Sequence, residues 1–107
     1  MTLIEFLRAR LDEVEATTRE LLYWSQQTIL TLQDPKLLGK HIPGWHDWPK
    51  VERMCRVRLA EVAAKRRILD WMLAVRERDY APWEADPIKL LALPYASHPE
   101  FNESWRP

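Results

Sequence analysis

Apolar positions along the chain form two long helical patterns and one broken one. From Thr2 to about Leu32, the residues Ile4, Leu7, Leu11, Val14, Leu21 and Leu32 follow a three-four repeat whose remaining places hold Thr18, Ser25 and Thr28. That spacing puts every member on one helix face. Leu3, Leu22 and Ile29 widen the face, and Thr2 with Glu5 three residues on makes a capping-box start. The hydroxyl residues predict close helix approach, each bonded back to the carbonyl four residues earlier, with a polar pocket as the alternative. Tyr23 and Trp24 lie beside the seam.

The second pattern runs from Asp47 to Tyr80 and holds no glycine, and no proline after Pro49. Asp47 as N-cap, Pro49 in the first turn and a helix-favouring composition predict one long central helix over 47–80, about 50 Å in length. One stripe on it is Cys55, Leu59, Val62, Leu69, Leu73 and Tyr80, interrupted by Arg66. A second is Val57, Ala60, Ala64, Ile68, Trp71 and Val75; two positions turn a helix by about 200°, so it faces away from the first. A helix apolar on two sides is expected to be covered twice, by its own chain or by a second subunit. Arg66, on the first stripe, is expected to reach an acidic residue of the first helix or of that subunit.

Between the helices, residues 34–46 form the connection. Pro35, Gly39, Pro43 and Gly44 predict a short turn over Pro35–Lys40 and a type II turn at Pro43-Gly44, and Trp45 and Trp48 flank the start of the central helix as candidate staple residues. Residues 81–107 carry five prolines and hold no long helix. Asp86-Pro87 predicts a two-turn helix presenting Leu90, Leu91 and Leu93. Ser97 with Glu100 predicts a last capped turn carrying Phe101 and Trp105. The expected fold is therefore all-α: one domain, 1–107, with two long antiparallel helices as a hairpin and the tail's short helices packed over it. An antiparallel dimer forming a four-helix arrangement is the natural extension.

Composition changes this picture little. Six tryptophans in 107 residues is high, and Trp is expected at element junctions or, where exposed, at a partner surface. Trp24, Trp45, Trp48 and Trp71 are the candidates for that surface. Sixteen basic and sixteen acidic residues cancel, leaving no global field toward nucleic acid or anionic lipid. The balance is uneven, however: residues 47–80 carry nine basic against six acidic residues, while 2–33 carry three against five. Lys65, Arg66 and Arg67 are the best nucleic-acid candidates, although Glu61, Asp70 and Glu77 are interleaved at ion-pairing distance. Cys55 is the single cysteine, which excludes an internal disulfide and a cysteine-rich zinc site and fits a reducing cytoplasm. No secretion leader or membrane span is expected.

His41, His46 and His98, with Asp47 and Cys55, are the only candidate metal or acid-base residues. His41 and His46 are five apart across Pro43 and Gly44, not four apart on a helix, and no glutamate stands where a zinc-bound water would need its base. Turn and capping hydrogen bonds are the expected roles. No nucleophile elbow, phosphate loop or dinucleotide fingerprint is present.

The opening LIEFLRARLDEVE, the segment HDWPKVERMCRVRLAEVAAKRRILD and the ending IKLLALPYASHPEFNESWRP together resemble a family of small proteins of unknown function from actinobacteria and their phages. The resemblance implies no reaction and no catalytic residues. Longer members of that family hold a cysteine- and histidine-rich insert between the last two stretches, where this chain has WMLAVRERDYAPWEADP, without either residue. The leading expectation is a non-enzymatic protein-interaction or accessory protein needing no cofactor, with self-association among its partners. A nucleic-acid-associated protein is the alternative, and a small metal-dependent enzyme using His41, His46 and His98 is a third.

Overall fold

The computed structural model of the chain describes residues 1–32, 47–78 and 86–107. The two turns expected in the connection, His41, His46, Trp45 and Tyr80 lie outside these residues. Helix α1 runs Leu3–Leu32 and helix α2 runs Trp48–Arg78. Both starts are capped as their sequences direct. Glu5 N–H donates to Thr2 Oγ1 at 3.1 Å, and Lys50 N–H to Asp47 Oδ1 at 3.1 Å. Each bond satisfies one of the N–H groups that a helix start leaves without an intrahelical acceptor.

The two helices pack antiparallel. Arg8 meets Asp70, Arg66 meets Asp12 and Glu15, and Leu21 shares a groove with Val51 and Met54. Leu7 and Leu11 of α1 and Cys55, Val62 and Leu69 of α2 are buried along the seam, where each large aliphatic contributes about 1.5–3 kcal/mol. Toward the far end of α1 the seam turns polar, with Thr18 and Ser25 buried. The Ser25 hydroxyl donates to Leu22 C=O, three residues back, and Thr28 Oγ1 to Trp24 C=O, four back. These local bonds let a narrow polar side chain occupy a tight seam without leaving its own hydroxyl unsatisfied.

Helix α3, Pro87–Ala92, is capped by Asp86, whose Oδ1 accepts from Ile88 N–H at 3.0 Å. It buries Ile88 and Ala92, four residues apart, against Leu7 and Leu69. This differs from the expected leucine face. Leu91 is half-buried, but Leu90 and Leu93 are exposed. A helix of six residues meets the hairpin along one edge, and that edge is Ile88–Ala92.

Past α3 the chain makes a 3-10 turn, Leu93–Tyr95, and ends on another, Glu103–Trp105. The last turn is capped by Asn102, which accepts from Ser104 N–H at 2.9 Å; the expected Ser97–Glu100 box is replaced by an irregular turn in which Glu100 N–H donates to His98 Nδ1. No strand occurs among the described residues. The chain is elongated, with a radius of gyration of 19.3 Å and extents of 64 × 27 × 19 Å, where a compact chain of this length would have a radius of about 13 Å. It exposes 8114 Å², against about 6,300 Å² for a compact monomer of the same mass.

Candidate functional site

The tail covers only one half of the hairpin. Phe6, on α1, is 0% exposed and is the centre of an aromatic cluster. Its ring lies 5.0 Å from Trp105, 5.7 Å from His98, 5.9 Å from Phe101 and 6.4 Å from Tyr95, centre to centre. The edge-on geometries set the positive ring edge of one aromatic against the negative face of the next. Arg10, one turn on from Phe6, sits over its ring at 5.2 Å and reaches the His98 imidazole, Glu13 and Glu100. This nearly buried guanidinium ties the irregular turn of the tail to α1.

Among the described residues, the other half of the hairpin has no cover, although large apolar side chains recur there. An α-helix returns to the same angle after eighteen residues, about five turns and ~27 Å. Eighteen residues beyond Phe6 stands Trp24, and beyond Leu3 stands Leu21; eighteen before Met72 stands Met54, and before Leu69 stands Val51. Leu3, Met72 and Leu69 belong to the tail's seat. Their counterparts line an open groove of about 230 Å³ formed by Thr17, Thr18, Leu21, Val51, Met54, Cys55 and Arg58. Trp24 is 58% exposed, Met54 59% and Leu21 45%. The buried Cys55 thiol forms part of the floor.

A second apolar surface lies on the outside of α2. Val57, Ala60, Ala64, Ile68 and Trp71 are exposed in one helical line, with Trp71 at 65%. The expected double coverage of α2 is thus absent on this face among the described residues, because the tail seats itself between α1 and α2 and not across α2. Val75 alone of this stripe is half-buried.

The remaining edge of the hairpin is charged. Arg8, Asp12, Glu15 and Arg19 recur at three- and four-residue spacing on α1, about 200° from Phe6 and Arg10. Arg66 bonds Asp12 at 2.7 Å and Glu15 at 2.5 Å, Arg19 bonds Glu15 at 3.0 Å, and Arg8 approaches Asp70 at 3.4 Å. Hydrogen bonds from Arg66, then from Arg19, hold the Glu15 carboxyl below its ordinary value, and Glu15 with Asp12 pushes the Arg66 guanidinium higher still. Arg66 therefore answers the acidic face of the first helix.

A family model described as a family of unknown function, DUF6221, matches residues 1–107. The chain belongs to the DUF6221 family. No curated protein and no solved structure matches it. In this DUF6221 chain the tryptophans singled out from sequence do not converge. Trp24 is exposed about one turn beyond Leu21 and Trp71 lies some 30 Å away along the hairpin, Trp48 is half-buried at the start of α2, and Trp45 lies outside the described residues. Lys65, Arg66 and Arg67 are likewise split, being successive positions on one helix. Lys65 lines a gap beneath Leu91 and Tyr95 of the tail, Arg66 is ion-paired, and Arg67 is exposed. Among the described residues no three His, Cys, Asp or Glu side chains stand close enough to share a metal ion, and His98 is engaged with Arg10 and Phe6. None of the described helices is long and apolar enough to cross a membrane.

Sequence reasoning passed over Phe6 and the Leu21–Val51–Met54 groove. Phe6 lies off the three-four seam because it faces the tail and not α2. The signal that marks both is the eighteen-residue recurrence of large apolar side chains beside the seam, which a search for one core stripe does not weigh.

Proposed function

We propose that this DUF6221 protein is a non-enzymatic protein-interaction protein whose outward contact is the outer stripe of α2, centred on Trp71. The observation that carries the reading is an exposed tryptophan set in a continuous apolar line with Ile68, Ala64, Ala60 and Val57. Tryptophan is among the residues that most often anchor interfaces, and a helix face carrying this much apolar area in water has a cost that a partner removes. The stripe is straight and about 21 Å long, with alanines at its centre where a second helix can approach closely. An amphipathic helix of a protein partner is the matching chemistry.

The basic residues favour protein over nucleic acid as the partner. Arg56 is paired with Glu52, Arg66 with Asp12 and Glu15, and Arg76 with Asp86. Three consecutive residues, Lys65 to Arg67, spread around the helix and make no track for a phosphate backbone. The resemblance to actinobacterial and phage proteins fits a small accessory protein working in a reducing cytoplasm.

The test is capture from actinobacterial extract with and without nuclease, comparing the wild-type chain with Trp71→Ala, Ile68→Asp and Trp24→Ala. A protein held by the wild type and by Trp24→Ala, and lost with Trp71→Ala or Ile68→Asp, is the expected result. Capture that disappears with nuclease, or that Ile68→Asp leaves unchanged, contradicts the proposal.

A further inference from the structure

We propose that His98 is a pH-sensitive latch: it docks the tail's irregular turn onto α1 only while its imidazole is neutral, and protonation frees that turn from Arg10. The device is independent of the Trp71 contact proposed above. The turn is folded around His98, whose N–H donates to Tyr95 C=O at 2.9 Å and whose C=O accepts from Phe101 N–H at 3.0 Å. Its half-buried ring stands edge-on to Phe6 at 5.7 Å. Nδ1 accepts from Glu100 N–H at 3.1 Å, which assigns the lone pair to that nitrogen. Arg10 Nη1 lies 2.7 Å from Nδ1 and also against Nε2. Both groups that meet the ring nitrogens are thus donors, and a guanidinium has no acceptor to offer and does not give up its charge. A neutral imidazole supplies the one lone pair they need. A protonated one supplies none, and sets a second positive charge against Arg10, whose side chain is only 11% exposed and so poorly screened.

The surrounding charges do not offset this repulsion. From α1, Glu13 reaches Arg10 Nε at 3.3 Å; from the turn itself, Glu100 reaches Arg10 Nη2 at 3.7 Å; and the Phe6 face holds the same guanidinium at 5.2 Å. Arg10 therefore already uses the carboxylates and the ring face that favour a cation here. Farther along the tail, Glu103 and Arg106 pair with each other, and at the start of α3 Asp86 pairs with Arg76. From α2, Lys65 lies across a small gap from Tyr95, while Arg66 and Asp70 meet Asp12, Glu15 and Arg8 on the opposite edge of α1. Docking is complete above the imidazole range and is lost as pH falls through it. Opening uncovers Phe6, which is otherwise wholly buried.

Hydrogen exchange of the whole chain, corrected for the pH dependence of intrinsic exchange, reads the latch between about pH 7.5 and 5.5, an interval that brackets the ordinary imidazole value of about 6.5. Where docking and ring protonation exclude each other, the opening equilibrium rises by up to about tenfold across it. Amides of residues 95–105 in the wild type should lose protection by several-fold toward that limit, while those of residues 51–60 hold theirs. His98→Asn, which keeps an acceptor at the position of Nδ1 and cannot take up a proton, should abolish the response. The double variant His41→Gln, His46→Gln leaves His98 as the one histidine and should respond as the wild type does, which decides the matter even where His98→Asn loosens the tail at both pH values. Wild-type protection that is unchanged over the interval overturns the proposal. So does a response that persists in His98→Asn, that vanishes in the double variant, or that is equal in residues 51–60.

Discussion

Phe6 and Trp24 occupy the same angle of α1, one under the tail and one in the open, so replacing each with alanine tests how the hairpin is divided. Phe6→Ala removes a side chain that is wholly buried and touches the rings of Tyr95, His98, Phe101 and Trp105. Truncating a buried phenylalanine costs about 3–5 kcal/mol, transfer and cavity together. That is a large share of the roughly 5–15 kcal/mol that holds a domain folded, and for a chain of this length it lowers Tm by about 15 °C or more. The loss should be coupled to the tail. A double-mutant cycle with Trp105→Ala should return an interaction energy of about 0.5–1.5 kcal/mol, the usual worth of an aromatic pair beyond its area.

Trp24→Ala, by contrast, takes away a ring that is already mostly in water, and surface changes of that kind stay within about ±0.5 kcal/mol. Urea unfolding followed by far-ultraviolet circular dichroism at low micromolar protein gives both numbers. Equal losses for the two variants, or a Phe6→Ala loss below about 1 kcal/mol, a third or less of what a buried phenylalanine is worth, would refute the division into a covered and an open half.

Asp86 carries two jobs, capping α3 through Ile88 N–H and pairing with Arg76 at 2.8 Å. Asp86→Ala should cost about 1–2 kcal/mol while Asp86→Asn, which keeps the cap, costs only a few tenths; equal losses in urea melts would show that the cap is not what matters. The Glu15–Arg66 pair predicts the acid limb of stability. Because Arg66 lowers the folded-state value of Glu15 below its ordinary 4.5, the unfolded chain binds more protons in the interval between the two values, and stability rises with pH there. The contribution is complete above the ordinary value and is lost as pH falls through the lowered one. Arg66→Gln should therefore flatten the fall of Tm over that acid interval, and an unchanged slope would contradict the assignment.

The long helices were legible in the sequence because their signals are local and mutually consistent. Thr2 and Asp47 cap where an N-cap residue should, and the Leu7–Leu11 and Cys55–Val62–Leu69 stripes are the seam that forms. Arg66 on an apolar stripe was likewise readable as a cation aimed at acidic groups on the other helix. The tail was harder. Its helix could be placed from Asp86-Pro87, but which edge it buries depends on the angle at which six residues meet two helices, and that angle chose Ile88 and Ala92 over the more obvious Leu90 and Leu93. The final turn followed Asn102 and not Ser97, since His98 was drawn away by Arg10, eighty-eight residues distant. Leu21 shows the remaining limit. It lies on the repeat as faithfully as Leu7 does, yet is exposed, because a stripe records which face is apolar and not how far along the helix the cover extends.

Hydrogen exchange tests the central claim, that the tail covers the Phe6 half of the hairpin and leaves, among the described residues, the Leu21–Met54 half open. In Trp105→Ala, which loosens the tail, amides of residues 3–11 and 66–75 should lose protection, while those of residues 17–28 and 51–60 should not change. Protection lost equally in both halves, or in neither, would contradict it.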